Sequence, residues 1–491
     1  MRIPTSPLAL LVAAVPAIVG AGVVATGCVT SSDPPAGPAA FDGGSFDAAS
    51  NLNDANVPGV DTGTPDTGTP DTGTTEAGGG NDAGTDAGPS SGPLTACDPA
   101  ARIDTLRGVD GSVTISAAGY GDKWVVTWYQ LALVSPDSLS HFKSRYFDGT
   151  TLAGEVDLGT DVFGNQSPIV ADGAGRAFSQ RYKSSDAERR VFDFATGTFG
   201  APTTFPAVNS AVEYFALAAI PGGGAISLFR NSANVVADKW LPAQPAWTTT
   251  GLAGLPAIAF GLRIAANAAG KAVALWYNAN GNGGNDLHVA AYDGTTWSAP
   301  VTESLPITGG QTGDFKPVIL ANGDAVIAYT LGADSIVTQR FHVNGTFDAP
   351  IPVDSTAGVA GGRFDMVADA SDRVTVVFLK AGHVHVRRDL GAGYLAEQDV
   401  ATGTDYRLDV NPATQDVTLV TYNLPTLQIQ RVAATGNTWT ASLPLNMGIK
   451  NGTLPRRQTA VVFDTAGRPT VLSMQDAAGA GGLELFSAKC R

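Results

Sequence analysis

The chain is poor in charge, in cysteine and in any motif that would hold a cofactor. Only 15% of its 491 residues are Lys, Arg, Asp or Glu, and there are three Cys and five His. No phosphate-cradling glycine loop, dinucleotide fingerprint or clustered zinc-ligand spacing occurs, so no cofactor and no metal is expected. Helical periodicity is missing as well. The 59 Gly, with frequent Thr and Val, point instead to strands joined by tight turns.

Basic residues are scarce too, and the net charge of −15 is unevenly spread. Residues 29–96 hold nine Asp and one Glu against no Lys or Arg, which is −10, and Arg2 gives the leader +1. That leaves −6 for residues 97–491. Phosphate binding needs a basic surface, so nucleic acid is excluded as a partner.

What is present begins with the leader. Arg2 precedes a mainly apolar stretch from Leu8 to Val24, and the small residues Ala25, Thr26 and Gly27 stand before Cys28. This resembles the lipobox of bacterial lipoproteins, with Ala25 where Leu is usual. The resemblance implies a signal peptide over 1–27, lipid on the Cys28 thiol and attachment to a membrane. Pro16 and the glycines at 20, 22 and 27 disfavour an uncleaved spanning helix. Val29 follows Cys28 in place of the Asp that resembles an inner-membrane retention signal, so the expected place is the cell envelope, at the outer membrane.

Residues 28–96 read as a disordered, acidic Gly/Thr/Asp/Pro linker. Tandem units run Asp61 to Pro65, Asp66 to Pro70 and Asp71 to Thr75, with almost no large apolar side chain to offset the entropy of ordering. Such a chain has an r.m.s. span of roughly 45 Å, enough to hold a domain clear of lipid headgroups. Two spellings here are decoys. Arg2-Ile3-Pro4 resembles a sialidase element but lies in the leader, and Gly88-Pro89-Ser90-Ser91-Gly92 has the nucleophile-elbow spelling without a strand and helix around it.

From residue 109 onward the chain repeats. The clearest unit runs from Arg263 through Asn267, Gly270 and Trp276 to Tyr292, Asp293, Gly294 and Trp297. It reads as four short strands, here lettered a to d. The a-to-b turn recurs with Asp172 and Gly175, Asp369 and Asp372, and Asp464 and Gly467, residues suited to a tight hairpin. The position of Trp276 is filled in turn by Trp128, Arg181, Phe229, Trp276, Tyr329, Phe378, Thr421 and Ser473. These stand about 49 residues apart, a period that marks propellers or arrays. The expected fold is therefore all-β, a propeller of eight four-stranded blades over residues 97–491, with seven blades as the alternative.

The chain ends predict how the ring closes. The last unit stops without a strand d, and Ala101 to Leu106 precede the first full unit and could supply it. Once Cys28 is lipidated, Cys97 and Cys490 remain, one at each end of the domain, and in an exported protein they are expected to pair.

The turn Ala291 to Trp297 resembles the Asp-box of sialidase-type propellers, without its Ser and one residue short between Asp and Trp. The resemblance implies fold and not activity, and the sialidase arginine triad and Tyr–Glu nucleophile have no matching positions.

Candidate chemistry is sparse. His383 and His385 alternate onto one strand face but lack a third metal ligand. Asn344-Gly-Thr346 and Asn451-Gly-Thr453 spell glycosylation acceptors and read as β-turns. Strand a lines the channel of a propeller, where charge needs a reason. Asp365 and Arg407 share the position four residues before the turn, Arg263 matches them, and Asp405, Arg407 and Asp409 alternate onto one face. Arg263, Asp365, Arg407 and Asp409 are thus the candidate ligand contacts at the channel mouth, with a structural ion pair as the competing reading. The function expected is that of a monomeric, non-enzymatic binding module for a surface glycan or protein. The alternative is a hydrolase or lyase acting on polysaccharide.

Overall fold

A computed structural model describes residues 92–491 apart from 107–114, 131–139, 162–167, 184–185, 206–214, 232–233, 253–259, 280–284, 306–314, 332–334, 355–358, 424–425, 446, 448–458 and 477–482. Cys28, the leader, the linker repeats, Ser90 and Asn451 lie outside the described residues.

Eight antiparallel sheets, each built on a path of four strands, follow one another along the chain, and the described residues contain no helix. The innermost strands are Ile115–Tyr120, Ile169–Ala171, Phe215–Ala219, Phe260–Ala266, Phe315–Ile319, Val359–Ala368, Asp405–Val410 and Thr459–Phe463. Each packs against the innermost strand of the blade on either side, and that of blade 8 against that of blade 1, so the ring is closed. The molecule is an eight-bladed β-propeller.

The register explains the repeat. Trp128 pairs with Ile115, Phe229 with Phe215, Tyr329 with Phe315, Phe378 with Phe364 and Ser473 with Thr459, so one position of strand b faces the start of strand a in blade after blade. These side chains fill the seams: Trp128, Trp276 and Phe378 are fully buried. Burying an apolar side chain of this class contributes about 1.5–3 kcal/mol.

The a-to-b turns are stitched to one another around one rim. Asn267 Nδ2 donates to Leu320 O (2.7 Å), Ala321 N to Asp372 Oδ1 (2.5 Å) and Ala370 N to Gln415 Oε1 (2.7 Å). Asn411 Nδ2 donates to Gly467 O (2.7 Å), and Thr465 Oγ1 to Asp122 Oδ1 (3.1 Å). These bonds cross every seam from blade 4 round to blade 1. Asp372 adopts φ 63°, a conformation that short polar residues tolerate, and this swings its carboxylate to the neighbouring turn.

Blade 8 takes its outermost strand from the start of the domain. Ala101–Leu106 pairs antiparallel with Leu483–Lys489, as the missing strand d predicted. Cys97 and Cys490 form a disulfide within an antiparallel bridge, with Cα atoms 3.9 Å apart. That is closer than the usual 4.4–6.8 Å, because the two residues sit directly opposite each other on paired backbone. Packing reaches back beyond the expected start at Cys97: Leu94 is buried among residues of blades 7 and 8, and Thr95 N donates to Arg491 O (2.6 Å).

Candidate functional site at the turn end of the channel

Strand a runs toward the rim of turns, and its side chains alternate between the blades on either side. Four residues before the turn stand Arg263, Lys316, Asp365 and Arg407 in blades 4 to 7, whereas blades 8, 1 and 3 place Ala460, Ser116 and Ala216 there. Charge is therefore confined to one side of the inner ring.

Of the four residues expected at the channel mouth, the structure brings two together. Arg407 donates from Nε to Asp409 Oδ2 (2.8 Å) and from Nη2 to Asp409 Oδ1 (3.2 Å), a bidentate pair within one strand. Both border a small open recess, its other walls coming from Ala117–Gly119, Ala171, Val410 and Val461–Phe463. The small residues of blades 1 and 2 leave this space, and the cavity joins blades 7, 8, 1 and 2 at the turn end of the channel.

Asp365 is 1% exposed and pairs with Lys316 across the seam between blades 5 and 6, while its Oδ1 also accepts from Met366 N (2.7 Å). Arg263 is half-buried and donates to Leu262 O (3.0 Å); neither it nor Asp365 borders the cavity. Asp405 is buried, its Oδ1 accepting from Tyr406 N (2.9 Å).

Lys316 was missed by sequence reasoning, as were two arginines that cross seams at equivalent places on strand c. Arg388 donates to Ala433 O and Ala434 O (3.0 Å each) in the turn of blade 7, and Arg431 to Gly467 O (2.9 Å) of blade 8. Burial lowers the pKa of Arg388 to about 10. Their signal in the sequence is an Arg three residues after the position that faces Phe378 or Thr421.

The histidines of blade 6 are each matched by one carboxylate. His383 Nδ1 lies 2.9 Å from Asp399 Oδ2, and His385 Nδ1 lies 2.9 Å from Glu397 Oε1. Among the described residues, no cluster of three His, Cys, Asp or Glu is arranged to hold a metal. The Asp-box-like turn is a scaffold. Asp293 Oδ1 accepts from Thr295 N (2.7 Å), Thr295 Oγ1 (2.7 Å) and Thr296 N (2.8 Å), and Trp297 packs on Tyr292. These bonds hold the Asp293 carboxyl well below the usual range. Asn344 closes the corresponding turn of blade 5, accepting from Thr346 Oγ1 (2.7 Å).

No family model matches the chain, and no curated protein does. Solved structures that it resembles are propellers. The Dos1 propeller is 9% identical with a TM-score of 0.48, over 79% of this chain and 95% of that one. The β-propeller domain of the Trilobed protease from Pyrococcus furiosus is 8% identical with a TM-score of 0.44, over 69% and 99%. Aleuria aurantia lectin, solved with Fucα1-6GlcNAc, is 12% identical with a TM-score of 0.36, over 60% and 97%. The likeness is one of fold.

Proposed function

We propose that this chain is a lipoprotein of the cell envelope, anchored at the outer membrane through Cys28, that presents its propeller as a non-enzymatic binding module for a surface glycan or protein. The observation that carries the reading is where the chain enters the ring. Arg431 donates to Gly92 O (3.4 Å) and Cys97 is bonded to Cys490, both at the rim of a-to-b and c-to-d turns. A tether therefore leaves from the turn rim. The d-to-a and b-to-c connections, including 131–139, 206–214, 253–259, 306–314 and 448–458, join the opposite ends of the strands. Connections between the strands of a rigid scaffold are where recognition residues are best placed.

Two inner-ring carboxylates are held in ion pairs within the fold, Asp365 with Lys316 and Asp409 with Arg407. The test is to probe the purified chain against immobilised envelope polysaccharides and then analyse the bound glycan by mass. Retention of an intact glycan or of a specific protein supports the module. Release of shortened or unsaturated fragments overturns it in favour of a hydrolase or lyase.

A further inference from the structure

An outermost strand offers unpaired N–H and C=O groups to any other chain, and propellers carry one such edge per blade. Seven of the eight edges here are short or charged. Blades 2, 5 and 7 end on Thr203–Phe205, Ile351–Pro352 and Leu443–Leu445, of three, two and three residues. Blades 1, 6 and 8 carry Asp157, Asp399 and Arg102 on their edges. Blade 4 carries Glu303.

Blade 3 is different. Its edge, Gln244–Leu252, is nine residues long and has no charge. Its pairing with Asn234–Leu241 is irregular only near Pro245 and Trp247, and Thr248 to Leu252 pair in unbroken register. Thr248, Thr249, Thr250 and Gly251 are all exposed, so neither sheet face is covered there, and a Cβ on Gly251 would meet nothing within 4 Å.

We propose that this edge pairs two copies of the chain, antiparallel about a two-fold axis through Thr249, joining two copies of blade 3 into one continuous sheet. The strand is complementary to itself. In that register Thr249 faces Thr249, Thr248 faces Thr250 and Trp247 faces Gly251 of the other copy, so no like charges meet; the Trp247 indole stays packed on Phe178 and Arg189 of its own chain and leaves the threonines as the contact. Thr–Thr cross-strand pairs are favourable, and a two-fold contact must be self-complementary in this way. The pairing replaces the monomer expected from sequence and leaves the channel and the connection rim uncovered.

The detergent-solubilised full-length chain tests this by sedimentation, where a mass of two chains is expected and one chain at up to about 100 μM overturns the pairing. Oxidative cross-linking tests the register. Thr249→Cys places two thiols opposite each other and gives a covalent dimer on a non-reducing gel. Ala246→Cys faces Leu252 and gives none. Equal cross-linking of both variants, or a Thr249→Cys product linked to a different protein, refutes the two-fold arrangement.

Discussion

Lys316 of blade 5 and Asp365 of blade 6 form an ion pair across the seam between their innermost strands, with Asp365 1% exposed. Removing one partner leaves the other charge buried. Lys316→Met is expected to cost about 3–5 kcal/mol in denaturant unfolding, whereas the double variant with Asp365→Leu recovers most of that loss. A single variant within about 0.5 kcal/mol of wild type refutes a desolvated pair.

That pair also shows how far the sequence was legible. Asp365 was found because blade 6 marks its turn with Asp369, and Arg407 because blade 7 uses Asn411. Blade 5 starts the same turn with Leu320, its backbone bonded to Asp324 O and by Gly323 N, so the spelling that would have aligned Lys316 is missing. The closing strand was legible for a topological reason: a last unit without strand d needs one, and only Ala101–Leu106 was left over. Which inner charges reach the channel was not legible. Strand a alternates between two seams, and only packing decides that Arg407 folds onto Asp409 beside the cavity while Asp365 turns into a seam.

The disulfide closes a loop of 393 residues in sequence separation, and chain entropy sets a ceiling near 6 kcal/mol on its contribution. Cys97→Ser with Cys490→Ser is expected to lower stability by about 2–5 kcal/mol without opening the ring, because Ala101–Leu106 still pairs with Leu483–Lys489. Urea unfolding gives the loss. Hydrogen exchange should leave the amides of Leu483–Lys489 protected in the native variant, and their full exchange would show that the bond alone holds the ring shut.

Two histidines give opposite pH responses. Hydrogen bonds to Asp348 and Asp324 raise the pKa of His342, so its stabilisation is full below about 6.5 and is lost as pH rises through the folded pKa. Burial lowers that of His288, which stacks on Trp276. The unfolded chain therefore takes up a proton first as pH falls below about 6.5, and stability declines on the acid side. In melting curves across pH 5 to 8, roughly the range in which His titrates, His342→Gln should remove the alkaline decline and His288→Gln should reduce the acid one. Unchanged profiles in both variants count against these assignments.

The Arg431 guanidinium holds the entry of the chain and the blade 7–8 seam together, donating to Gly92 O (3.4 Å) and Gly467 O (2.9 Å). Removing such charged hydrogen bonds costs about 1.5–3 kcal/mol, so Arg431→Met should unfold at correspondingly lower denaturant. Local consequences are more telling. Gly467 has φ 70°, and its carbonyl still accepts from Asn411 Nδ2 (2.7 Å), so the turn keeps one bond after the substitution. Gly92 loses its contact with this side chain. Brief proteolysis of the wild-type chain should yield a resistant fragment beginning no later than Gly92, because Leu94 is buried and Thr95 and Ala96 N both donate to Arg491 O. In Arg431→Met the first resistant residue should move toward Cys97, where the disulfide stops further fraying. N-terminal sequencing of the two fragments distinguishes the cases, and identical ends would mean that the Leu94 contacts alone fix the boundary.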